Sequence, residues 1–258
     1  MQKLVAIDYL AESVSRYRTG WAVVAVDVIR ATTTAITAAA NGWRCFPAPS
    51  IERALALSRK FANPLLAGES GGSIPDGFEM DNSPSQLSGR HDTHRPLVLV
   101  SSSGTKVLHE AAGADAVYLS CFRDYSFLPT YLAGRHDRIA IIGAGSLGEF
   151  REEDQACCSW IAAELMSQGY QAKNPETEAL VGKWRCETPK ACLISNSVAF
   201  LKRTDRLSDL DFIFGHVNDL RAVFTIQNGE VRMVQEEPSL RFIRPPANQL
   251  PADIVAEY

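Results

Sequence analysis

The stretch Ala22-Val23-Val24-Ala25-Val26-Asp27-Val28-Ile29-Arg30-Ala31-Thr32-Thr33-Thr34 decides the fold class of this chain. The apolar run Ala22–Ile29 is almost continuous instead of alternating, which is typical of a strand buried on both faces of a parallel sheet. A helical pattern, Thr33–Asn41, follows at once and ends at Asn41-Gly42, a common helix stop. A buried strand that leads directly into a helix predicts an α/β protein.

The same alternation recurs along the chain. Further buried strands are predicted at Pro64–Ala67, Leu97–Val100, Ala116–Leu119 and Arg138–Gly143. Further helices are predicted at Ile51–Phe61, Thr105–Ala112, Asp124–Ala133, Glu153–Ser167, Pro175–Val181 and Pro189–Lys202. Leu220–Ile226 and Glu230–Gln235, joined by Asn228-Gly229, predict an antiparallel hairpin. We therefore predict a single α/β domain over residues 1–258 with a mainly parallel, mixed sheet and a C-terminal hairpin.

The composition restricts the kind of protein this can be. The chain has 258 residues, 46% of them hydrophobic, which is enough for a full core. The net charge is -4 and basic residues form no long run, so we expect no nucleic-acid partner. No apolar stretch approaches the roughly 20 residues needed to span a bilayer, and no signal-peptide pattern is present, so no membrane partner is expected. The six cysteines contain no CxxC pair and predict reduced thiols in a cytoplasmic protein, while a homo-oligomer stays open.

Asp27 interrupts the first apolar strand near its C-terminal end, where ligands bind in open α/β sheets. A carboxylate there is costly to bury unless a cation or hydrogen-bond donors satisfy it. We interpret Asp27 as a metal ligand or a nucleophile. The alternative is that it caps the next helix or pairs with Arg30.

Two strand-to-helix turns carry hydroxyl groups that could hold an anion. Arg30 with Thr32, Thr33 and Thr34 opens one helix, and Ser101 to Thr105 follow a second strand. Backbone N–H groups at a helix start favour anions, and Gly104 would let the backbone approach one closely. Ordinary helix capping is the alternative for both turns.

Oxygen ligands predict which metal this site would prefer. Glu69 lies between glycines after a short strand, and Asp154 lies at a helix start beside Glu152 and Glu153. With Asp27, these carboxylates favour Mg²⁺ over Zn²⁺, and the five histidines are scattered. Acids at a helix start are also explained by the helix dipole alone.

A glycine pattern of the dinucleotide-binding type, Gly143 to Gly148, follows the strand Arg138–Gly143. Such a site needs a helix that opens at once onto the pyrophosphate. Acidic residues follow here instead, at Glu149 and Glu152 to Asp154, and they would repel an anion. A nicotinamide or flavin oxidoreductase is therefore a weaker alternative.

Five blocks of sequence, in order, resemble the 2-phosphosulfolactate phosphatases of coenzyme M biosynthesis, the ComB-like proteins. The blocks lie between Trp21 and Met233 and are Asp27–Thr34 (D-V-x-R-A-T-T-T), Gly68–Gly72 (G-E-R-G-G), Gly77-Phe78 with Asn82-Ser83-Pro84 (G-F-x-x-x-N-S-P), Gly104-Thr105 (N-G-T) and Gly145–Phe150 with Glu153-Asp154 (A-G-x-x-x-x-F-x-x-E-D). The resemblance implies a three-layer α/β/α fold and a Mg²⁺-dependent phosphatase that acts on a small anionic phosphate ester, most simply 2-phosphosulfolactate.

The resemblance also implies roles for particular residues. Asp27, Arg30, Glu69 and Asp154 would be catalytic, and the three acids would hold or surround the metal. The phosphate and a second anionic group would be bound by Thr32, Thr33, Thr34, Asn82, Ser83, Ser102, Ser103, Gly104 and Thr105. We add Arg123 to this substrate-binding set as a hypothesis of our own, because it departs from the family pattern.

Four positions depart from the family pattern. Ser70 replaces an arginine, Asp81 a glycine, Ser103 an asparagine, and Arg123 a residue that is usually asparagine. Because a bidentate arginine is a strong anion ligand, we hypothesise that Arg123 partly replaces the one missing at position 70. Two alternatives remain open: a related hydrolase with another substrate, and an anion-binding module without turnover.

Overall fold

The computed structural model describes residues 2–234. The strands in this range are β1 (Leu4–Tyr9), β2 (Ala22–Val26), β3 (Cys45–Ala48), β4 (Leu65–Gly68), β5 (Leu97–Val100), β6 (Ala116–Ser120), β7 (Arg138–Gly143), β8 (Gln171–Ala172), β9 (Val223–Gln227) and β10 (Glu230–Val234). They form one sheet in the order β4-β5-β3-β10-β9-β6-β2-β7-β1-β8. Most of the pairings are parallel, and β9 and β10 pair antiparallel with each other and with their outer neighbours. The predicted mixed, mainly parallel α/β sheet is confirmed.

The α-helices in the same range are α1 (Ala31–Ala40), α2 (Ile51–Ser58), α3 (Pro84–Ser88), α4 (Gly104–Glu110), α5 (Leu128–Leu132), α6 (Glu152–Ser167), α7 (Pro175–Trp184), α8 (Asn196–Arg203) and α9 (Leu207–Gly215). Short 3₁₀ helices cover Ala11–Tyr17, Ala111–Gly113 and Pro189–Ile194. Within this part of the chain, no helix has the length and apolar character needed to cross a membrane.

Several predicted boundaries differ from the structure, among them the start of the helix predicted at Asp124, which begins at Leu128. Two of the differences have clear local reasons. The strand predicted as Ala22–Ile29 ends at Val26, because residues 27–29 already form the turn into α1. The helix predicted as Pro189–Lys202 is broken at Ser195, whose hydroxyl accepts a hydrogen bond from the Val198 N–H and caps α8. A serine followed by polar residues is a helix-start signal that the prediction overlooked.

The predicted hairpin is present up to Val234, and Gln235 lies outside the described residues. Asn228 and Gly229 both have positive φ, as a tight hairpin turn of this type requires. The position of the hairpin was not predicted: β9 and β10 lie in the middle of the sheet, between β6 and β3. They separate two groups of parallel strands and reverse the strand direction between them.

Helices cover both faces of the sheet, as the resemblance implied. Along β2, Val23 and Ala25 pack with residues of α1 and α4 on one face. Val24 and Val26 pack on the other face with residues of α5, α6 and α7. Side chains alternate between two apolar layers, which is why this strand reads as a continuous apolar run.

The sheet curves strongly across the hairpin. Strands β2 and β5 are five strand spacings apart, which is about 24 Å across a flat sheet. They also run in opposite directions, so a flat sheet would place their C-terminal ends at opposite edges. Gly104 lies four residues beyond the end of β5, a segment that reaches at most about 14 Å. The Asp27 carboxylate, directly after β2, nevertheless lies against Gly104. The curvature therefore brings together strand ends that a flat sheet would keep apart.

Candidate functional site

A cavity of about 680 Å³ opens where several strands end. Its walls come from the loops after β2, β4, β5 and β7 and from α8. Seven of the fourteen predicted site residues line it: Asp27, Arg30, Glu69, Asn82, Ser102, Ser103 and Asp154. The other seven do not: Thr32, Thr33, Thr34, Ser83, Gly104, Thr105 and Arg123.

Asp27 is the acid at the floor of the cavity. It is buried, and its carboxylate lies so close to Gly104 that a Cβ at position 104 would collide with it. Burial, together with repulsion from Glu69 and Glu153, raises the pKa of Asp27 to about 7. A carboxylate in this environment is stabilised as an anion only if a cation or further donors approach it.

Asp154, near the start of α6, is the second acid of the floor. Its Oδ1 accepts a hydrogen bond from the Val28 N–H at 2.9 Å, and its Oδ2 accepts one from the Gly145 N–H at 3.3 Å. Burial, with repulsion from Asp27 and Glu153, raises its pKa well above the usual range. Asp154 thus joins the turns after β2 and β7, and it faces Asp27 in the same cavity.

Glu153 is an acid that the resemblance also pointed to. It is almost fully buried, and it hydrogen-bonds with Ser195 and Ser197 at the start of α8. Burial raises its pKa, and its Oε2 has no hydrogen-bond partner among the described residues. Glu153 is not among the lining residues, so its visible effect is to hold α8 against the floor of the cavity.

Glu69 closes the loop after β4 onto the loop after β5. Its Oε1 accepts a hydrogen bond from the Ser102 N–H at 2.6 Å. Its Oε2 accepts bonds from the Ser102 hydroxyl and the Gly72 N–H, both at 2.9 Å. The two oxygens of Glu69 therefore fix the shape of one cavity wall.

Arg30 lies in a buried network of two arginines and two aspartates. Its Nη1 is 2.6 Å from Asp209 Oδ2, and its Nη2 donates to Asp81 Oδ1 at 3.1 Å. Arg206 pairs with the same Asp81 at 2.6 Å. The family departure at position 81 thus supplies a carboxylate that neutralises Arg30, which leaves this guanidinium little charge for a substrate.

The three threonines after Arg30 hold the turn and do not form an anion clamp. The Thr32 hydroxyl lies 2.8 Å from the carbonyl oxygens of Asp27 and Ser120. The Thr33 hydroxyl donates to the Val28 carbonyl at 2.8 Å, and the Thr34 hydroxyl donates to the Arg30 carbonyl at 3.1 Å. Their hydroxyls are satisfied by local backbone, as in other strand-to-helix turns.

Ser83 and Thr105 are likewise used inside the fold. The Ser83 hydroxyl caps α3 and contacts Asp209 at 2.6 Å. Thr105 N–H donates to the Ser101 hydroxyl at 3.0 Å, and its own hydroxyl donates to the Ser101 carbonyl at 3.1 Å. Gly104 has no side chain, and the space that a Cβ would occupy is filled by Asp27.

Arg123 is placed away from the cavity. Its guanidinium pairs with Asp219 through Nε at 3.0 Å and Nη2 at 2.6 Å, and Nη1 donates to the Thr37 hydroxyl at 3.0 Å. It also lies over the Phe212 ring. With these partners, Arg123 does not replace the missing arginine at position 70.

Asn82 has a buried amide that no other group uses. The residue is 3% exposed, it lines the cavity, and its Oδ1 has no hydrogen-bond partner in the described part of the chain. Buried polar groups in folded proteins are normally paired. An unpaired amide that faces a cavity therefore indicates a site for a polar ligand.

The glycine loop after β7 does not have the geometry of a dinucleotide site. Ser146 and Glu149 close it with two backbone hydrogen bonds of 2.9 and 3.0 Å, and α6 begins only at Glu152. The Gly145 N–H is taken by the Asp154 carboxylate. The loop instead places Asp154 in the cavity.

The prediction missed several lining residues. Asn196 and Ser197 reach the cavity because α8 begins there, and Lys106 and Arg203 reach it from α4 and α8. The polar run after Ser195 could have located the start of α8. Lys106 and Arg203 carry no motif and resemble ordinary surface residues of helices.

The donor set fits Mg²⁺. Residues 2–234 contain no group of three His, Cys, Asp or Glu side chains arranged to enclose a metal. Mg²⁺ does not need such a cage, because it usually binds one or two carboxylates and completes its shell with waters and phosphate oxygens. Asp27 and Asp154 line the same cavity, and the charge of Asp27 raises the pKa of Asp154, which is the electrostatic arrangement that a divalent cation relieves.

Fold and site together define an α/β protein with an acidic, oxygen-rich cavity at its strand ends. A family model described as 2-phosphosulpholactate phosphatase matches residues 9–229. The chain therefore belongs to the 2-phosphosulpholactate phosphatase family.

Curated relatives agree with this assignment. Proteins named "Probable 2-phosphosulfolactate phosphatase" are similar to this chain in several bacteria. The protein of Pseudothermotoga lettingae is 33% identical over 63% of this chain and 69% of its own length. That of Carboxydothermus hydrogenoformans is 34% identical over 57% of this chain and 61% of its own. That of Clostridium perfringens strain 13 is 26% identical over 90% of this chain and 95% of its own.

Proposed function

We propose that this protein hydrolyses 2-phosphosulfolactate to sulfolactate and inorganic phosphate, with Mg²⁺ as cofactor. The observation that carries the proposal is the buried carboxylate of Asp27, which faces Asp154 across the floor of a cavity at the strand ends. Two acids that repel one another in a buried site favour a divalent cation, and a cation there would draw a phosphate. Family membership supports the same reaction and the same substrate.

Asp27 and Asp154 would hold the metal. When bound there, Mg²⁺ would neutralise the phosphate and stabilise the charge on the attacking or leaving oxygen. The backbone N–H groups that fix Asp154, from Val28 and Gly145, keep its carboxylate oriented toward Asp27. Such preorganised charge is the main requirement of phosphoryl transfer.

Other residues would position the phosphate. The Asn82 amide is free to contact it, and Ser103 lines the cavity without a capping hydrogen bond from its side chain. Glu69 acts indirectly, since it fixes the Ser102 N–H and hydroxyl. Arg30 acts through the fold, because Asp81 and Asp209 already neutralise it.

We also propose a cytoplasmic location. Five of the six cysteines are buried, and all six are free thiols, which suits a reducing compartment.

The experiment measures phosphate release with Mg²⁺ from a panel of phosphate esters led by 2-phosphosulfolactate. We expect release that EDTA abolishes and that falls by about 10²-fold or more in Asp27→Asn. Asp211→Asn, an exposed carboxylate on α9, is the matched control and should behave as wild type. Because Asp27 is destabilised as an anion, the Asp27→Asn protein should remain folded, which a thermal melt checks. A folded wild-type protein that releases phosphate from no ester would contradict the proposal.

A further inference from the structure

The cavity has an acidic floor and a basic rim. Four cationic side chains line it: Arg30, Lys106, Arg151 and Arg203. Two of them are neutralised, Arg30 by Asp81 and Asp209 and Arg151 by Glu149 at 2.5 Å. Within residues 2–234, neither Lys106 nor Arg203 makes an ion pair or a side-chain hydrogen bond. The cationic groups of the cavity lining that lack a carboxylate partner in the described chain are therefore these two side chains.

The two unpaired cations, Lys106 and Arg203, lie nearer the cavity surface than the two acids, Asp27 and Asp154. Asp27 and Asp154 are buried, whereas Lys106 and Arg203 are exposed at the mouth. They also come from different helices, α4 and α8. A molecule that enters the cavity therefore meets positive charge first and carboxylates at the bottom.

Helix stability does not explain why a lysine is found at position 106. It lies in the first turn of α4, where a cation opposes the helix dipole. Arg203 is at the end of α8, where the dipole favours it, so its position alone would carry no argument. Two observations connect Lys106 with Arg203. Both side chains line the same cavity, and in the described chain neither has a carboxylate partner.

We propose that Lys106 and Arg203 determine substrate specificity by binding the non-reacting anionic groups of the substrate. This inference rests on the proposed function. A sulfonate or carboxylate would be repelled by Asp27 and Asp154 at the floor, and it is attracted by the unpaired cations of the rim. The substrate then binds with its phosphate inward and its second anion outward. An ester without a second anion gains nothing from the rim.

The test is the selectivity ratio, defined as kcat/KM for 2-phosphosulfolactate divided by kcat/KM for ethyl phosphate. Lys106→Ala and Arg203→Ala should each lower this ratio about tenfold, the scale of one charge-assisted hydrogen bond. The loss should come mainly from a higher KM for 2-phosphosulfolactate, as expected for removal of uniform binding. Lys106→Arg and Arg203→Lys should recover most of the ratio.

Lys202→Ala is the control, because Lys202 precedes Arg203 on α8, is exposed and does not line the cavity. It should leave the ratio unchanged. An unchanged ratio in Lys106→Ala and Arg203→Ala would overturn the proposal, and so would an equal loss on both esters.

A binding measurement separates failure of the proposed function from failure of the proposal about Lys106 and Arg203. If wild type hydrolyses neither ester, calorimetric titration with sulfolactate replaces kinetics. Weaker sulfolactate binding in Lys106→Ala and Arg203→Ala, with Lys202→Ala unchanged, would support the rim as an anion subsite. Equal binding in all proteins, or no binding to wild type, would overturn it.

Discussion

Gly104→Ala tests whether the position of Asp27 matters. The added Cβ would lie 2.7 Å from the Ala31 Cβ and 2.9 Å from the Asp27 Cβ, and closer still to Asp27 Oδ2. Carbon atoms normally approach to about 3.5–4.0 Å, so Asp27 or the start of α4 must move by about 1 Å. Neither neighbouring carbon can rotate away, because each is fixed to its backbone.

Two magnitudes follow from this shift. Overpacking of a well-filled site costs about 1–3 kcal/mol of the free energy of unfolding, with about 2–4 °C in Tm for each kcal/mol. Misplacement of a catalytic group by about 1 Å lowers the rate about 10²-fold. We therefore expect a protein that folds, melts several degrees lower and releases phosphate about 10²-fold more slowly.

The assay combines thermal melting with Mg²⁺-dependent phosphate release from 2-phosphosulfolactate. Gly182→Ala is the matched control, because position 182 lies in α7 and has open space around its Cβ. It should gain up to about 1 kcal/mol of stability and keep its activity. A Gly104→Ala protein with wild-type rate and Tm would refute the argument that Asp27 needs the space above Gly104.

Two further predictions concern buried acids outside the cavity. Burial raises the pKa of Asp124 to about 7, so between about pH 4 and pH 7 the folded state keeps a proton that the unfolded chain loses. The stability that this proton contributes is present below about pH 4 and is lost as the pH rises to about 7. In Asp124→Asn, the urea midpoint should therefore fall less over this pH range than it does in wild type. An unchanged pH profile of the midpoint would contradict this prediction. Asp209→Ala leaves Arg30 and Arg206 to share Asp81, which should cost about 3–5 kcal/mol in urea unfolding. Exposed Asp211→Ala on the same helix should cost almost nothing, and equal effects of the two changes would count against the buried network.

Strand prediction succeeded where the strand has no competing local signal. Leu97–Val100 and Arg138–Gly143 were predicted with their correct bounds, because both are apolar runs between clear breaks. Three strands were not predicted. One contains Pro47, another has only two residues, and the third, Leu4–Tyr9, follows directly on the chain start. Length and composition carry too little information in such cases.

Several of the predicted site residues do lie together in the structure, although the strands that precede them run in opposite directions on the two sides of the hairpin. Asp27, Glu69 and Ser102 each come directly after a strand or within two residues of one, and the structure places all three in one cavity. Arg30 and Arg123 were expected to face the substrate, but they are paired with Asp209 and Asp219 from distant parts of the chain. A motif does not show which carboxylate will reach an arginine.

The sequence by itself determined the α/β class, the Asn228-Gly229 turn and the polar residues at the strand ends. These depend on periodicity, capping and turn preferences, which act over a few neighbouring residues. Only the tertiary structure decided that the hairpin lies in the centre of the sheet, that the sheet curves until Asp27 meets Gly104, and that Lys106 and Arg203 remain unpaired at the cavity mouth. Those features depend on contacts between segments far apart in the chain, and the packing of the whole core selects them.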